Sequence, residues 1–377
     1  MRITIVGGGP AGLYFGLLMK KQDPGHQVVI VERDAPGETY GWGIVFSDRT
    51  LSFLHESDAP SYESVTRRFA LWDNVDVVHR SEKVSVHGNR FAGIARVAFL
   101  EILRKRCHEL GVEIRHREPV VSLDALPPSD LLVGADGVNS LVRRTHAGAF
   151  QPTLDLRRNK YVWLGTPRSF PGLTLTFRES EAGLFVAHSY RFDREASTFI
   201  VEAVGDAWKR AGFETMSIQE TCLYLGRVFA DDLQGERLLA KDSARWLNFT
   251  IVKNARWHAG NVTLLGDALH TAHFSIGSGT KVAIEDAIAL AGCCASSGDL
   301  AGALAEFERT RKPVVDALQE AAHSSLVFFE EAATRMSLRP LDLAYEIMTR
   351  SGRIDHEKLK LRDPAFVQAW EAAHPQG

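Results

Sequence analysis

The chain opens with a short β-branched run, Ile3 to Val6, which breaks at once into Gly7-Gly8-Gly9-Pro10-Ala11-Gly12. A helical segment carrying Leu13, Phe15, Leu17 and Leu18 follows, and a second apolar run, Val28 to Val31, ends on Glu32. From Glu63 to Val86 apolar and polar positions alternate over short runs (Phe69, Leu71, Val75, Val77), which predicts antiparallel strands of an inserted sheet. Ile94-Ala95-Arg96 leads into an amphipathic helix with Leu100, Leu103 and Cys107 on one face. Short strands are expected at Val112-Glu113-Ile114 and Val120-Val121. The apolar run Leu131-Leu132-Val133 then ends in Gly134-Ala135-Asp136-Gly137.

From Asn159 to Val204 the pattern changes to longer alternating strands, at 161–165, 173–177, 184–190 and 198–202, which read as one antiparallel sheet. A helix is expected from Ile218 to Phe229, then a strand around Trp246-Leu247-Asn248-Phe249 that returns the chain to the first domain. Val262 to Leu265 is another apolar run; it passes through Gly266-Asp267 and the loop Ser275-Ile276-Gly277-Ser278-Gly279 into a helix with Ile284, Ile288 and Ala291. Leu300 to Met348 reads as largely helical, and the tail beyond Gly352 as polar. The expectation is an α/β protein. A Rossmann-like dinucleotide-binding domain spans 1–158 and 246–300, an antiparallel-sheet substrate domain (α+β) spans 159–245, and a C-terminal helical region spans 301–377.

Composition narrows this little. With 377 residues, 45% hydrophobic and 24% charged, the chain has ample core for two packed domains. A formal net charge of −3 gives no general attraction to nucleic acid. The four cysteines form no CxxC pair and read as reduced thiols, with no metal site expected. No apolar stretch reaches the roughly 18 residues of a membrane span, and the N-terminus runs straight into a strand, so a cytoplasmic protein is expected.

The chemistry enters with the glycines. Strand, G-x-G-x-x-G, helix, second strand and an acidic residue 20 positions past Gly12 form the dinucleotide fingerprint. Gly7 permits the tight turn, Gly9 lets the backbone approach a pyrophosphate, Gly12 lets helix and strand pack closely, and Glu32 would accept from a ribose. Two further apolar strands end in acidic glycine turns, at Asp136 and Asp267. Behind the second, a glycine loop enters a helix whose free N–H groups and positive dipole end suit a polar ligand.

These three sites together resemble the single-component FAD-dependent aromatic hydroxylases of the p-hydroxybenzoate hydroxylase type, over essentially the whole chain. The resemblance implies FAD as cofactor and NADH or NADPH as reductant. It implies cofactor contacts from Gly7, Gly9, Pro10, Ala11, Gly12, Glu32, Arg33, Trp42, Arg96, Asp136, Asp267, Gly277, Gly279 and Thr280. Asp267 would meet the ribityl chain, Arg96 the FAD, and Asp136 would serve both FAD and nicotinamide use. The strings at 41–48, 159–166 and 270–280 are similar to the salicylyl-CoA 5-hydroxylases, to the monooxygenase half of 2-aminobenzoyl-CoA monooxygenase/reductase, and to the protodeoxyviolaceinate hydroxylase of violacein biosynthesis. The reductase domain of the 2-aminobenzoyl-CoA enzymes is missing from this sequence, so no ring reduction is expected.

The implied reaction is O2-dependent hydroxylation of an aromatic ring through a flavin C4a-hydroperoxide, with 5-hydroxylation of salicylyl-CoA or a related aryl-CoA as the leading expectation. An indole-type intermediate and a flavin reduction of the same fold are the alternatives. Substrate activation needs an acceptor for the ring OH or NH. His188 and Tyr190, two apart on one strand, share a face and are the catalytic candidates together with His273 in the glycine loop. His270 would only cap the turn after Asp267. Phe274 and Trp163 would wall the aromatic substrate. Coenzyme phosphates would need cations, for which Arg67-Arg68 and Arg157-Arg158-Lys160 are candidates. The protein is expected to act as a monomer or homodimer.

Overall fold

The computed structural model describes residues 1–374, leaving aside the side chains of 47–51. Ser47 and Asp48, the last two residues of the string at 41–48, therefore lie outside the described side chains. Sixteen strands are described: β1 (Arg2–Val6), β2 (Gln27–Glu32), β3 (Gly43–Ser47), β4 (Ala70–Trp72), β5 (Val75–His79), β6 (Glu82–Val86), β7 (Phe91–Ala95) and β8 (Glu113–His116). They continue with β9 (Leu131–Gly134), β10 (Pro152–Thr166), β11 (Leu173–Ser180), β12 (Gly183–Arg191), β13 (Ser197–Ala203), β14 (Leu247–Asn254), β15 (His258–Ala259) and β16 (Val262–Leu264).

Three sheets result. The first runs β15-β16-β9-β1-β2-β8 and is parallel from β16 onward, its β-branched strands buried as a parallel sheet requires. Against it pack the helices Pro10–Gln22 and Gly279–Ser296, which also touch each other. The second sheet, β14-β10-β13-β12-β11-β5-β6, is antiparallel except where β11 meets β5. One of its faces buries Phe185, Phe199 and Val201 beneath the helices of 207–233. The other packs Val186, Phe177 and Val77 against Phe328, Phe329 and the C-terminal helices. A three-stranded sheet, β3-β7-β4, lies between.

Four local expectations are corrected. Glu63 to Thr66 is helical, within Ala59–Thr66, because Asp58 accepts from Ser61 N and Pro60 sits at the helix start. Val120 and Val121 form no strand, since β8 is the sheet edge and no neighbour remains to pair with them. The strand near Trp246 stays in the large sheet, as β14 pairs with the long β10; the return to the first sheet comes at His258. The tail beyond Gly352, read as polar, sends Phe366 and Val367 into the core; it is helical over His356–Arg362 and Pro364–Ala373, in line with the helical region expected over 301–377. Among the described residues no helix is long and apolar enough to cross a membrane.

Candidate active site

A single cavity of about 1710 Å³ runs from the glycine loop after β1, across one face of the large sheet, to the C-terminal helices. At its first end the glycines divide the work. A Cβ on Gly7 would lie 2.2 Å from Ala135 O and one on Gly12 2.1 Å from Gly7 O, so these two close the strand–helix junction. Gly9 has no protein atom within 4 Å of that position and lines the cavity with Pro10 and Ala11, leaving its open side for a ligand. Glu32 turns inward: its carboxylate accepts from Gly8 N at 2.6 Å and Asp34 N at 2.8 Å, fixing the loop, while Arg33 and Asp34 reach the cavity wall.

Both acidic turns reach the cavity, the first through Ala135, Gly137, Val138 and Asn139, but of their two carboxylates Asp267 alone lines it. Asp267 opens onto it and is exposed there; desolvation by the surrounding protein raises its pKa against the pull of Arg96 and His270. Arg96 is held by Nε to Thr39 Oγ1 at 2.9 Å, and burial lowers its pKa against the nearby Asp267. Asp136 lies off the cavity and accepts instead from Ser140 Oγ (2.5 Å) and Leu141 N (2.6 Å), ordering the short helix Leu141–Thr145. The buried Arg143 joins the two turns, donating to Val138 O and to Ala268 O at 2.9 Å.

Gly277, Gly279, Thr280 and Lys281 line the cavity where the helix Gly279–Ser296 begins. Its cap residue Ser278 makes no side-chain bond to that first turn, and the N–H groups there remain available. Opposite stand Trp163 and Tyr40, ring centroids 5.7 Å apart, with Trp163 Nε1 and Tyr40 OH buried and without a protein partner. Gly41 is constrained by them: φ is +79° and a Cβ would lie 2.9 Å from the Trp163 ring. Trp42 lies off the cavity under Gly165, with Lys241 Nζ 5.5 Å from its ring centroid. An open glycine cradle, free helix N–H groups and orphaned ring donors are the features a flavin dinucleotide needs, so the residues present fit FAD.

Past this loop the wall becomes aromatic, and β12 and β13 supply the titratable groups. His188 Nε2 lies 3.2 Å from Glu202 Oε2; Glu202 Oε1 accepts from Asn159 Nδ2 at 2.9 Å. All three side chains are buried. Burial acts to raise the Glu202 carboxyl, but the bonds from His188 and Asn159 and the nearby His273 outweigh it, and its pKa falls. A carboxylate only accepts, so His188 Nε2 is the donor in this bond. His188 packs edge-on to Phe274 at 5.3 Å and against Phe329 at 4.7 Å, and both His188 and Phe274 line the cavity. Tyr190 also lines it, with its hydroxyl donating to Gly43 O at 2.8 Å and its pKa raised by burial.

His273 sits behind Phe274, off the cavity. Its Nδ1 accepts from Ser275 Oγ at 2.8 Å and from Ser275 N; Ser275 Oγ meets Ser325 Oγ at 2.8 Å, which accepts from Arg350 Nε at 2.8 Å. This chain of bonds, oriented from a cation, fixes the neutral Nε2–H form, and burial pushes the His273 pKa down to about 4. His270 is anchored in the core to Asp286 at 2.5 Å, which also accepts from Arg311. The basic clusters expected for phosphates are committed elsewhere. Arg67 faces Glu63, Arg157 and Arg158 face Glu330, and Lys160 bonds Asn248 and covers Trp208.

Three residues of this site escape a reading by motif, Glu202, Arg143 and Arg350, and Asn159 enters one only as the first residue of the string at 159–166. A charge inside the apolar strand Ser197–Ala203 was the available signal for Glu202; the others declare themselves only through tertiary contacts.

Comparisons agree with the geometry. Residues 1–125 match the model of the FAD binding domain family. The chain is 37% identical, over its full length and 75% of the relative, to a salicyloyl-CoA 5-hydroxylase of Streptomyces. It is 34% identical to a 3-hydroxy-4-methyl-anthranilyl-[aryl-carrier protein] 5-monooxygenase of Streptosporangium sibiricum (95% and 97% covered). It is 35% identical to the protodeoxyviolaceinate monooxygenase of Chromobacterium violaceum (90% and 91% covered). In fold it is similar to 2-methyl-3-hydroxypyridine-5-carboxylic acid oxygenase, with a TM-score of 0.71 at 18% identity and 96% and 98% coverage.

Proposed function

Because this chain belongs to the FAD-dependent aromatic monooxygenases, we propose that it hydroxylates the ring of an aryl-CoA, salicyloyl-CoA or a close relative, at the carbon para to a ring hydroxyl. The observation that carries the reading is the His188–Glu202 pair, set in an aromatic wall beside the glycine loop. Bound FAD supplies reduction by NADH or NADPH and the activation of O2. The chain's residues position that chemistry. Gly9 and the loop tied by Glu32 would hold the dinucleotide phosphates, Asp267 and Arg96 its middle, and the first turn of Gly279–Ser296, with its free N–H groups, its ring edge.

His188 then acts on the substrate. Its Nδ1 accepts the proton of the ring hydroxyl, and the anionic Glu202 steadies the imidazolium that forms. Removing that proton raises electron density at the para carbon, the position to be oxygenated. Phe274, Trp163 and Tyr161 hold the ring and exclude water. Tyr190, engaged with Gly43, braces β12 against β3 and keeps His188 in place.

The test is NAD(P)H oxidation by the FAD-loaded protein with a panel of aryl-CoA thioesters, free aromatic acids and indoles, scored by hydroxylated product. Stimulation and product with an ortho-hydroxy aryl-CoA are expected. Brisk hydroxylation of an indole with no response to any aryl-CoA would overturn the reading.

A further inference from the structure

The cavity does not end at the aromatic wall. It continues along β11 and β5 to a stretch lined by Arg90 of the loop after β6, Arg353 of the turn after the helix Pro340–Thr349, and Arg362 at the end of the helix His356–Arg362, which donates to Asn89 beside Arg90. Resting on the thioester reading above, we propose that these three arginines form a binding subsite for the phosphates of the coenzyme handle, separate from the FAD end.

Three observations support it. The first is reach. His188 pairs with Leu175 on β11; Leu173, two residues along, pairs with Val75 on β5, which pairs with Val86 on β6, next to the arginine loop. Three strand spacings and two residues amount to roughly 15 Å. A pantetheine arm, equivalent to about four extended residues, covers a similar span. Leu173, Leu175 and Val75 all line the cavity, which gives the arm an apolar floor.

The second is rigidity. Gly88, at φ +76°, brings its backbone so close to Arg362 O that a Cβ would lie 2.5 Å away. His87 N donates to Asp363 Oδ2 at 2.8 Å, and Arg362 donates to Asn89 Oδ1 at 3.3 Å. Arg90 holds φ at +40°, a left-handed conformation that a non-glycine residue adopts at a cost, so the loop is pinned in the shape that presents its guanidinium.

The third is charge. Several arginines of the molecule face carboxylates, as Arg106 faces Asp58, Arg178 Asp232 and Arg335 Glu346, while others, such as Arg144 and Arg256, form no ion pair among the described residues. Among the described residues neither Arg353 nor Arg362 has such an ion pair. The carboxylates near these arginines are engaged: Asp363 by His87 N and Phe366 N, Asp355 by Lys358, and Asp73 by His87. Guanidinium groups in such a setting match phosphate by paired N–H donors.

The double variant R353Q/R362Q tests this in the FAD-loaded enzyme, with thermal unfolding and FAD content as controls for folding. Two measurements are made: KM for a thioester of CoA, of 4′-phosphopantetheine and of pantetheine, and calorimetric binding of adenosine 3′,5′-bisphosphate. The wild type is expected to show a KM about tenfold lower for the CoA ester than for the pantetheine ester, and the variant to lose that difference. Equal KM for the CoA and phosphopantetheine esters would keep the subsite and reduce its ligand to the single phosphate a carrier protein presents. Bisphosphate binding that the variant abolishes, with no thioester turned over, would keep the subsite while the aryl-CoA reading falls. A bisphosphate that fails to bind the wild type, or unchanged binding and KM in the variant, overturns the proposal.

Discussion

Glu202 is a carboxylate inside an otherwise apolar strand, and its position there is explained by His188 and Asn159, which use both of its oxygens. Glu202→Gln keeps the volume and removes the charge that steadies a protonated His188. Hydroxylation is expected to fall by on the order of 10²-fold with FAD content unchanged, as single-turnover product formation will read. His273 makes a different prediction, about stability. Its pKa in the fold, about 4, lies below its ordinary 6.5, so between those pH values the unfolded chain binds the extra proton. Stability is therefore full above pH 6.5 and is lost as pH falls toward 4, by on the order of 3 kcal/mol. The lowered pKa of Glu202 acts in the same direction, its contribution disappearing as acid protonates the carboxylate. Thermal unfolding followed across this range should steepen with acid in the wild type and flatten partly in His273→Gln. Equal slopes would remove His273 as the source.

At the scale of elements, the glycine loop separates packing from binding in a way that two substitutions can read. Gly12→Ala places a methyl on Gly7 O and is expected to lower the melting temperature of the apoprotein. Gly9→Ala meets no protein atom, so the apoprotein should melt as before while flavin absorbance per mole of protein drops sharply. This loop was legible in the sequence because its chemistry is local: every part of the fingerprint lies within thirty-odd residues of the N-terminus. The strands β10 to β13 were legible for the same reason, since alternation is a property of the strand itself. The His188–Glu202 pair spans two strands, and Arg143 joins turns over a hundred residues apart; no periodicity encodes such meetings. The segment after Asp58 failed for a related reason, because one capping carboxylate outweighed the alternation that followed it.

At the scale of the molecule, the helix Leu300–Glu330 spans from the nucleotide end to the substrate end and is fastened to the large sheet at its last residue. Glu330, nearly fully buried, accepts from Arg157 at 2.6 Å and from Arg158 N at 2.9 Å. Glu330→Ala would leave Arg157 with only Asp155 and is expected to cost about 3 kcal/mol in denaturant unfolding, the typical loss for a broken buried pair. Phe329 lies beside it against the His188 ring, so turnover should fall as well. The long cavity has one more consequence. The segments proposed to hold the cofactor come from residues 7–12, 96 and 266–281, whereas those lining the far end of the cavity come from 88–90 and 350–362. The two sets share no residue, so drift at the far end is expected to change the group that carries the aromatic ring without disturbing the cofactor end.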